Sequence, residues 1–404
     1  MKDEMTIALL GRGFYWAGGI DFLRHLANGL LSKQKTHKFK IYLLLPIDNK
    51  IETPFDILRV AMRSIKSTIQ QKRPCFAVPT PAFQVNILDF FLHTQEGQID
   101  VVYHENSSSG LLRCLKKINA DVALPVNGTL GSDYPVPWVG YAYDFQHKHL
   151  SENFNSQECF NRDIHFATIF RDATAAVVNS RAVKNDVFRI FPYTKTKVYS
   201  LPFSPNPVPE WFEELPSEVL AKYTLPEKYF LISNQFWIHK DHLTAFKALT
   251  TTDSHIVCTG AMADYRRPDY LSEIKDFLTK NGLEERVKLL GHIPKRHQIE
   301  IMKKSVAVVQ PTLFEGGPGG GCVYDAVALG VPAIISDIPV NKEVESGNIY
   351  FFSAGNYEDL SEKMRELLRA ELNRPGKDQL IMMGQSNLEK LGDCLLEAVS
   401  CVVL

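Results

Sequence analysis

Phe314-Glu-Gly-Gly-Pro-Gly-Gly-Gly-Cys-Val-Tyr-Asp-Ala-Val-Ala-Leu-Gly330 sets five glycines and a proline between two carboxylates, Glu315 and Asp325. A β-branched run at residues 306–309 precedes this stretch and another at 333–336 follows it, while Val323, Ala326, Val327 and Gly330 fall at helical spacing. The stretch therefore reads as the strand-to-helix turn of a βαβ unit, with the helix starting near Gly320 or Gly321. Ligands of open α/β sheets bind at that end of the strands. Glycines there let the backbone approach a ligand closely, and free amides at a helix N-terminus attract an anion such as phosphate.

The loop is neither a Walker A motif, since no Gly-Lys-Ser/Thr follows, nor the dinucleotide GxGxxG. A second glycine-rich turn, Gly11-Arg-Gly13-Phe-Tyr-Trp-Ala-Gly18-Gly19, also follows a strand and opens a helix. Outward from these turns, short β-branched runs alternate with amphipathic segments. In the first half the runs lie at residues 6–10, 40–45, 101–103, 122–124, 139–143, 175–178 and 198–201. In the second half they lie at 229–233, 256–259, 287–290, 306–309, 333–336 and 349–352.

The alternation predicts two doubly wound α/β domains. Leu201-Pro-Phe-Ser-Pro-Asn-Pro-Val-Pro209 holds four prolines in nine residues, which marks a linker. Residues 1–203 and 204–384 are the expected domains. A terminal helix over 385–404, with Leu388, Leu391, Leu395 and Val399 at helical spacing, could pack on either and cross back to the first. Residues 50–100 carry no clear pattern.

Composition narrows the function little. The 404 residues are 45% hydrophobic and 23% charged, with a formal net charge of −1, which gives no reason to expect nucleic acid and leaves only a local basic patch for contact with an anionic membrane surface. Seven cysteines at 75, 114, 159, 258, 322, 394 and 401 form no CxxC pair, so neither a disulfide framework nor a zinc site is indicated. The opening MKDEMTIALLGRG has too short an apolar run for a signal peptide, and no 18-residue apolar stretch occurs. A cytoplasmic protein is expected, with peripheral contact at the inner face of the membrane.

Val308-Val-Gln-Pro-Thr-Leu-Phe-Glu-Gly316 followed by Asp325-Ala-Val-Ala-Leu-Gly-Val-Pro-Ala-Ile-Ile-Ser336 resembles the donor-site signature of GT-B glycosyltransferases of family 4, a PSxxEG loop and an E-A-M-A-x-G-x-P-V-I-A-S segment. Arg286-Val-Lys-Leu-Leu-Gly-His-Ile-Pro294 is similar to their RVxFLGxVP strand, Asn234-Gln-Phe-Trp-Ile-His-Lys-Asp-His242 to GRLxxxKG, and Val178-Asn-Ser-Arg-Ala-Val-Lys-Asn-Asp-Val187 to VSEATKxDL. Two departures stand out. Nine residues lie between Glu315 and Asp325 where the family has seven, and Gln235 replaces the family's arginine.

The resemblance implies a GT-B fold, two Rossmann-like domains facing across a cleft. It implies that Glu315 meets the donor sugar, Asp325 the ribose hydroxyls, and Lys240 the diphosphate. Gly317, Gly319, Gly320 and Gly321 would cradle phosphate, Gly18 and Gly19 would face the diphosphate or acceptor, and Gln235, His292 and Ile293 would border the nucleotide. Asp144 and His147, in Tyr141-Ala-Tyr-Asp-Phe-Gln-His-Lys-His149, match the family's aspartate-and-histidine loop. The implied activity is metal-independent, retaining transfer of a hexose, first of all mannose from GDP-mannose, to a glycan or lipid-linked acceptor in surface-polysaccharide or lipopolysaccharide synthesis. No cofactor is implied beyond the nucleotide-sugar substrate. A nucleotide-sugar 2-epimerase and a non-catalytic sugar-binding subunit of a larger assembly are the alternatives.

Overall fold

A computed structural model describes residues 4–14, 17–47, 99–371 and 374–403. Most of the patternless segment 50–100, and Tyr15 and Trp16 of the first glycine turn, lie outside the described residues.

Among the described residues, strands β1 (Met5–Leu10), β2 (Phe39–Ile47), β3 (Ile99–Glu105), β4 (Val122–Val126), β5 (Trp138–Ala142), β6 (Ala175–Val178) and β7 (Lys197–Ser200) form one sheet in the order 3-2-1-4-5-6-7. Strands β8 (Phe230–Ser233), β9 (Ile256–Thr259), β10 (Val287–Leu289), β11 (Val308–Gln310), β12 (Ala333–Ser336) and β13 (Ile349–Phe352) form a second in the order 10-9-8-11-12-13. Every strand pairing is parallel. The central strands read as continuous apolar runs because helices cover both faces; β4, β5, β6, β9 and β12 are buried throughout.

The longer helices are α1 (Ala17–Leu31), α2 (Ser108–Lys117), α3 (Ser156–Asp172), α4 (Arg181–Ile190), α5 (His242–Ala248), α6 (Tyr270–Lys280), α7 (Lys295–Lys304), α8 (Gly320–Ala328), α9 (Tyr357–Arg369) and α10 (Lys377–Val403). Ser107 and Ser180 cap α2 and α4 by accepting from Gly110 N and Val183 N. Each sheet reverses its strand order once, between β1 and β4 and between β8 and β11, and such switch points open the ligand crevice of doubly wound folds. The turn after β1 leads to α1, and the glycine stretch leads from β11 to α8.

The proline-rich stretch between the sheets is pinned. Ser204 is buried and its Oγ lies 2.7 Å from His25 Nε2 of α1, while Asn387 of α10 donates to Pro205 O at 2.9 Å. The terminal helix starts at Lys377, earlier than its leucine spacing indicates, and Leu391, Leu395, Ala398 and Val399 share a buried cluster with Leu23, Leu26 and Leu30 of α1.

Candidate functional site

The glycine stretch is fixed at its base by polar side chains of neighbouring strand ends. Leu313 N donates to His239 O at 2.8 Å, and Ser336 Oγ donates to Thr312 O at 2.5 Å. Asn341 takes Gly319 N at 3.0 Å and donates to Ser336 O at 2.9 Å. Gly319 and Gly320 have φ of 68° and 66°, a left-handed turn that tips the chain into α8. Gly320 N already donates to Gly317 O at 3.2 Å, so two of the amides expected to cradle phosphate have partners within the protein.

Glu315 accepts from Gln310 Nε2 at 2.8 Å and pairs with Lys240 Nζ, which arrives from the short turn after β8. Both members of the pair are largely buried. The expected sugar carboxylate and the expected phosphate cation are therefore one ion pair.

From the opposite side the first domain comes into direct contact. A Cβ on Gly316 would stand 2.4 Å from Tyr143 O and 3.0 Å from Asp144 Cβ, so only glycine fits beneath that strand end. Ser180 Oγ donates to Gly316 O at 2.9 Å. Glu343 accepts from Arg181 N at 2.8 Å and Ala182 N at 2.7 Å, which places a carboxylate from the second domain on the N-terminus of α4. Arg266 lies 4.0 Å from the Phe154 ring and Tyr265 donates to Glu158 at 2.8 Å, a further cross-domain contact.

Between these contacts lies a cavity of about 470 Å³. Gly18, Asp21, Arg24 and His25 of α1, with Tyr141, Tyr143, Asp144 and Asn179, form its first-domain wall. Glu315, Gly316, Gly317, Gly320, Gly321, Tyr324, Asp325 and Lys295 form the second. Asp325 sits on the second turn of α8 with only 8% of its surface exposed, and Lys295 Nζ lies 2.5 Å from its Oδ2. Burial pushes the Asp325 carboxyl above its usual range, and Lys295 opposes that shift.

Asp144 accepts from Gln146 N at 2.9 Å and pairs with Arg162. Arg162 Nε also donates to His147 Nδ1 at 3.0 Å, so the proton of the neutral ring sits on Nε2, which donates to Asp163 at 2.9 Å. The His147 side chain is fully buried behind Asp144, and burial holds its pKa below the usual value. His149 points elsewhere, to Asp186 at 2.6 Å, so the two histidines do not converge.

Glu315, Asp325, Asp144, Gly18, Gly317, Gly320 and Gly321 thus share one cavity, with Lys240 immediately behind Glu315. Gly19, Gly319, Gln235, His292 and Ile293 are not on its wall: Gln235 and His292 are exposed, and Ile293 is buried in the core beneath α7. Sequence reasoning passed over Asp21, Arg24 and His25, whose spacing of three and four puts them on one face of α1, and Lys295, the first residue after Gly291-His-Ile-Pro294.

Residues 221–381 match the family model described as Glycosyl transferases group 1. The match lies in the second half of the chain. The whole chain is similar in fold to HepE of Anabaena, solved in complex with UDP and glucose, at 15% identity over 98% of this chain and 100% of that one, with a TM-score of 0.61. A glycosyltransferase of Rickettsia africae is similar at 14% identity, 98% coverage of each chain and a TM-score of 0.60. Sucrose-phosphate synthase of Thermosynechococcus elongatus is similar at 14% identity over 99% of this chain and 95% of that one, with a TM-score of 0.57. The fold is GT-B, two Rossmann-like domains closed on a cleft. A search of curated proteins finds no match. Among the described residues, no helix is long and apolar enough to cross a membrane, and no three His, Cys, Asp or Glu side chains gather in a metal-holding group.

Proposed function

We propose that the protein is a retaining hexosyltransferase that takes its sugar from a nucleotide sugar and delivers it to a glycan or lipid-linked acceptor, as a step of surface-polysaccharide assembly at the inner face of the membrane. One observation carries the reading: Glu315 and Asp325 open on the same cleft cavity from the two ends of a glycine loop, at the N-terminus of α8. A nucleoside diphosphate spans such a gap. Asp325 accepts from the ribose hydroxyls, the α8 N-terminus and free loop amides face the phosphates, and Glu315 accepts from hydroxyls of the sugar.

As the bond between sugar and diphosphate breaks, negative charge grows on the departing phosphate. In this reading Lys240, paired with Glu315, and the α8 dipole stabilise that charge. The acceptor enters along the α1 wall, between Asp21, Tyr143 and Asp144. Closure of the two domains around Gly316 excludes water, which favours transfer over hydrolysis of the donor.

The family resemblance makes GDP-mannose the first donor to try, whereas HepE is solved with UDP-glucose, so UDP-sugars stand beside it. Calorimetric titration with GDP, UDP, ADP and dTDP tests the reading. Binding of at least one, followed by net sugar transfer to an acceptor, is expected. Binding of none would remove the donor site, and conversion of the donor to an epimer without transfer would make the chain an isomerase.

A further inference from the structure

We propose that Lys295 is a positioning residue for the nucleotide ribose: its ammonium holds the Asp325 carboxylate charged and aimed so that it can accept both hydroxyls of a ribose diol. The proposal rests on the donor-site reading above.

Three observations support it. Asp325 is nearly buried, and burial pushes its carboxyl above the usual range; a protonated acid would present an O–H of its own and lose acceptor capacity for two hydroxyl donors. Lys295 is bonded to that carboxylate, and its Nζ also lies 5.6 Å from the Trp211 ring, so its head group is held from two sides. Lys295 is moreover the first residue of α7, where the helix dipole disfavours a cation. A lysine placed against that preference and turned into the cavity has a partner that needs it.

Other charged and titratable groups around Asp325 are Asp21, Arg24 and His25 of α1, with Cys322 and Tyr324 of α8. Asp21 and Arg24 pair with each other at 3.2 Å, and His25 meets Ser204 at 2.7 Å. Lys295 is thus the cation bonded to Asp325, and the neighbours divide between raising and lowering its charge.

The test is the pH dependence of UDP and GDP affinity, by calorimetry, in the wild type, Lys295→Met and Lys295→Arg. An opposite charge at this distance moves a carboxyl by about 1–3 units. The pH at which Lys295→Met loses half its affinity is therefore expected to rise by about 1–3 units, with near wild-type affinity on the alkaline side and recovery in Lys295→Arg. An unmoved midpoint overturns the proposal, as does affinity lost equally at every pH, which would make Lys295 a direct ligand contact. If the wild type binds no nucleoside diphosphate, the donor reading falls by itself. The carboxyl carbon of Asp325, assigned by its disappearance in Asp325→Asn and titrated by NMR without ligand, then still decides whether Lys295 sets its charge.

Discussion

Lys240 and Glu315 come from different strand ends and meet as a largely buried pair, each the other's counter-charge. Removing one partner of a buried pair leaves an uncompensated charge and costs about 3–5 kcal/mol. Lys240→Met and Glu315→Gln should therefore each destabilise the second domain by about 3–5 kcal/mol in urea unfolding. Glu315→Gln should also slow sugar transfer by about 10- to 150-fold, the loss of one hydrogen bond to a charged acceptor. Equal unfolding midpoints for Lys240→Met and the wild type would show that the pair is not the anchor of the loop.

His242 offers a second test, through pH. It is fully buried, stacked on Phe236 with ring centroids 4.1 Å apart, and neither ring nitrogen has a hydrogen-bond partner among the described residues. Burial, with Lys240 nearby, lowers its pKa to about 3, from an ordinary value of 6.5. The unfolded chain then binds the proton more readily, so the contribution of the neutral ring is complete above pH 6.5 and is lost as pH falls from there toward about 3. Each unit within that window is worth about 1.4 kcal/mol. His242→Phe, which keeps the stacked ring and removes the proton site, should flatten the fall in stability between neutral and mildly acidic pH. An unchanged slope would place the acid sensitivity elsewhere, with buried His239 the next candidate.

The α4 helix shows where sequence reading reaches its limit. Its N-terminal signal, Asn179-Ser180-Arg181, was legible as part of a family segment, and Ser180 does cap the helix. The two remaining amides, at Arg181 and Ala182, are satisfied by Glu343 from the other domain, a partner no local pattern announces. The same holds for Gly316, which looks like any loop glycine until Tyr143 O is found against it. Strands and turns were readable because burial on both faces and glycine conformations are local constraints. Lys295 and Glu343 escaped because their roles are set by what faces them, and Ile293 was misplaced because its motif position does not reveal which side of the strand end points inward. Glu343→Gln should weaken the cap by about 1–2 kcal/mol and lower kcat/KM about 5- to 30-fold. The midpoint of the isolated second-domain unfolding transition should stay in place. A shift there without a kinetic change would make Glu343 structural within its own domain.

The two sheets are joined twice, by the proline stretch and by the return of α10, and both connections rest on α1. α10 crosses the linker at Gly384, where a Cβ would lie 2.6 Å from Asn206 Oδ1 and from Pro207 Cδ, and then buries Leu391, Leu395 and Val399 against Leu23, Leu26 and Leu30. The chain's last segment therefore completes the core of its first domain, and α1 carries Asp21, Arg24 and His25 to the cavity from a helix whose opposite face depends on α10. Leu395 is fully buried, so Leu395→Ala should cost about 2–5 kcal/mol. Because α10 belongs to the first core, faster hydrogen exchange should appear in α1, β1 and β4, while α8 and β12 keep their protection. Nucleotide affinity, which rests on the second domain, should change little, and sugar transfer should fall as the α1 wall loosens. Exchange rising equally in both sheets would instead mean that the two domains unfold as one unit.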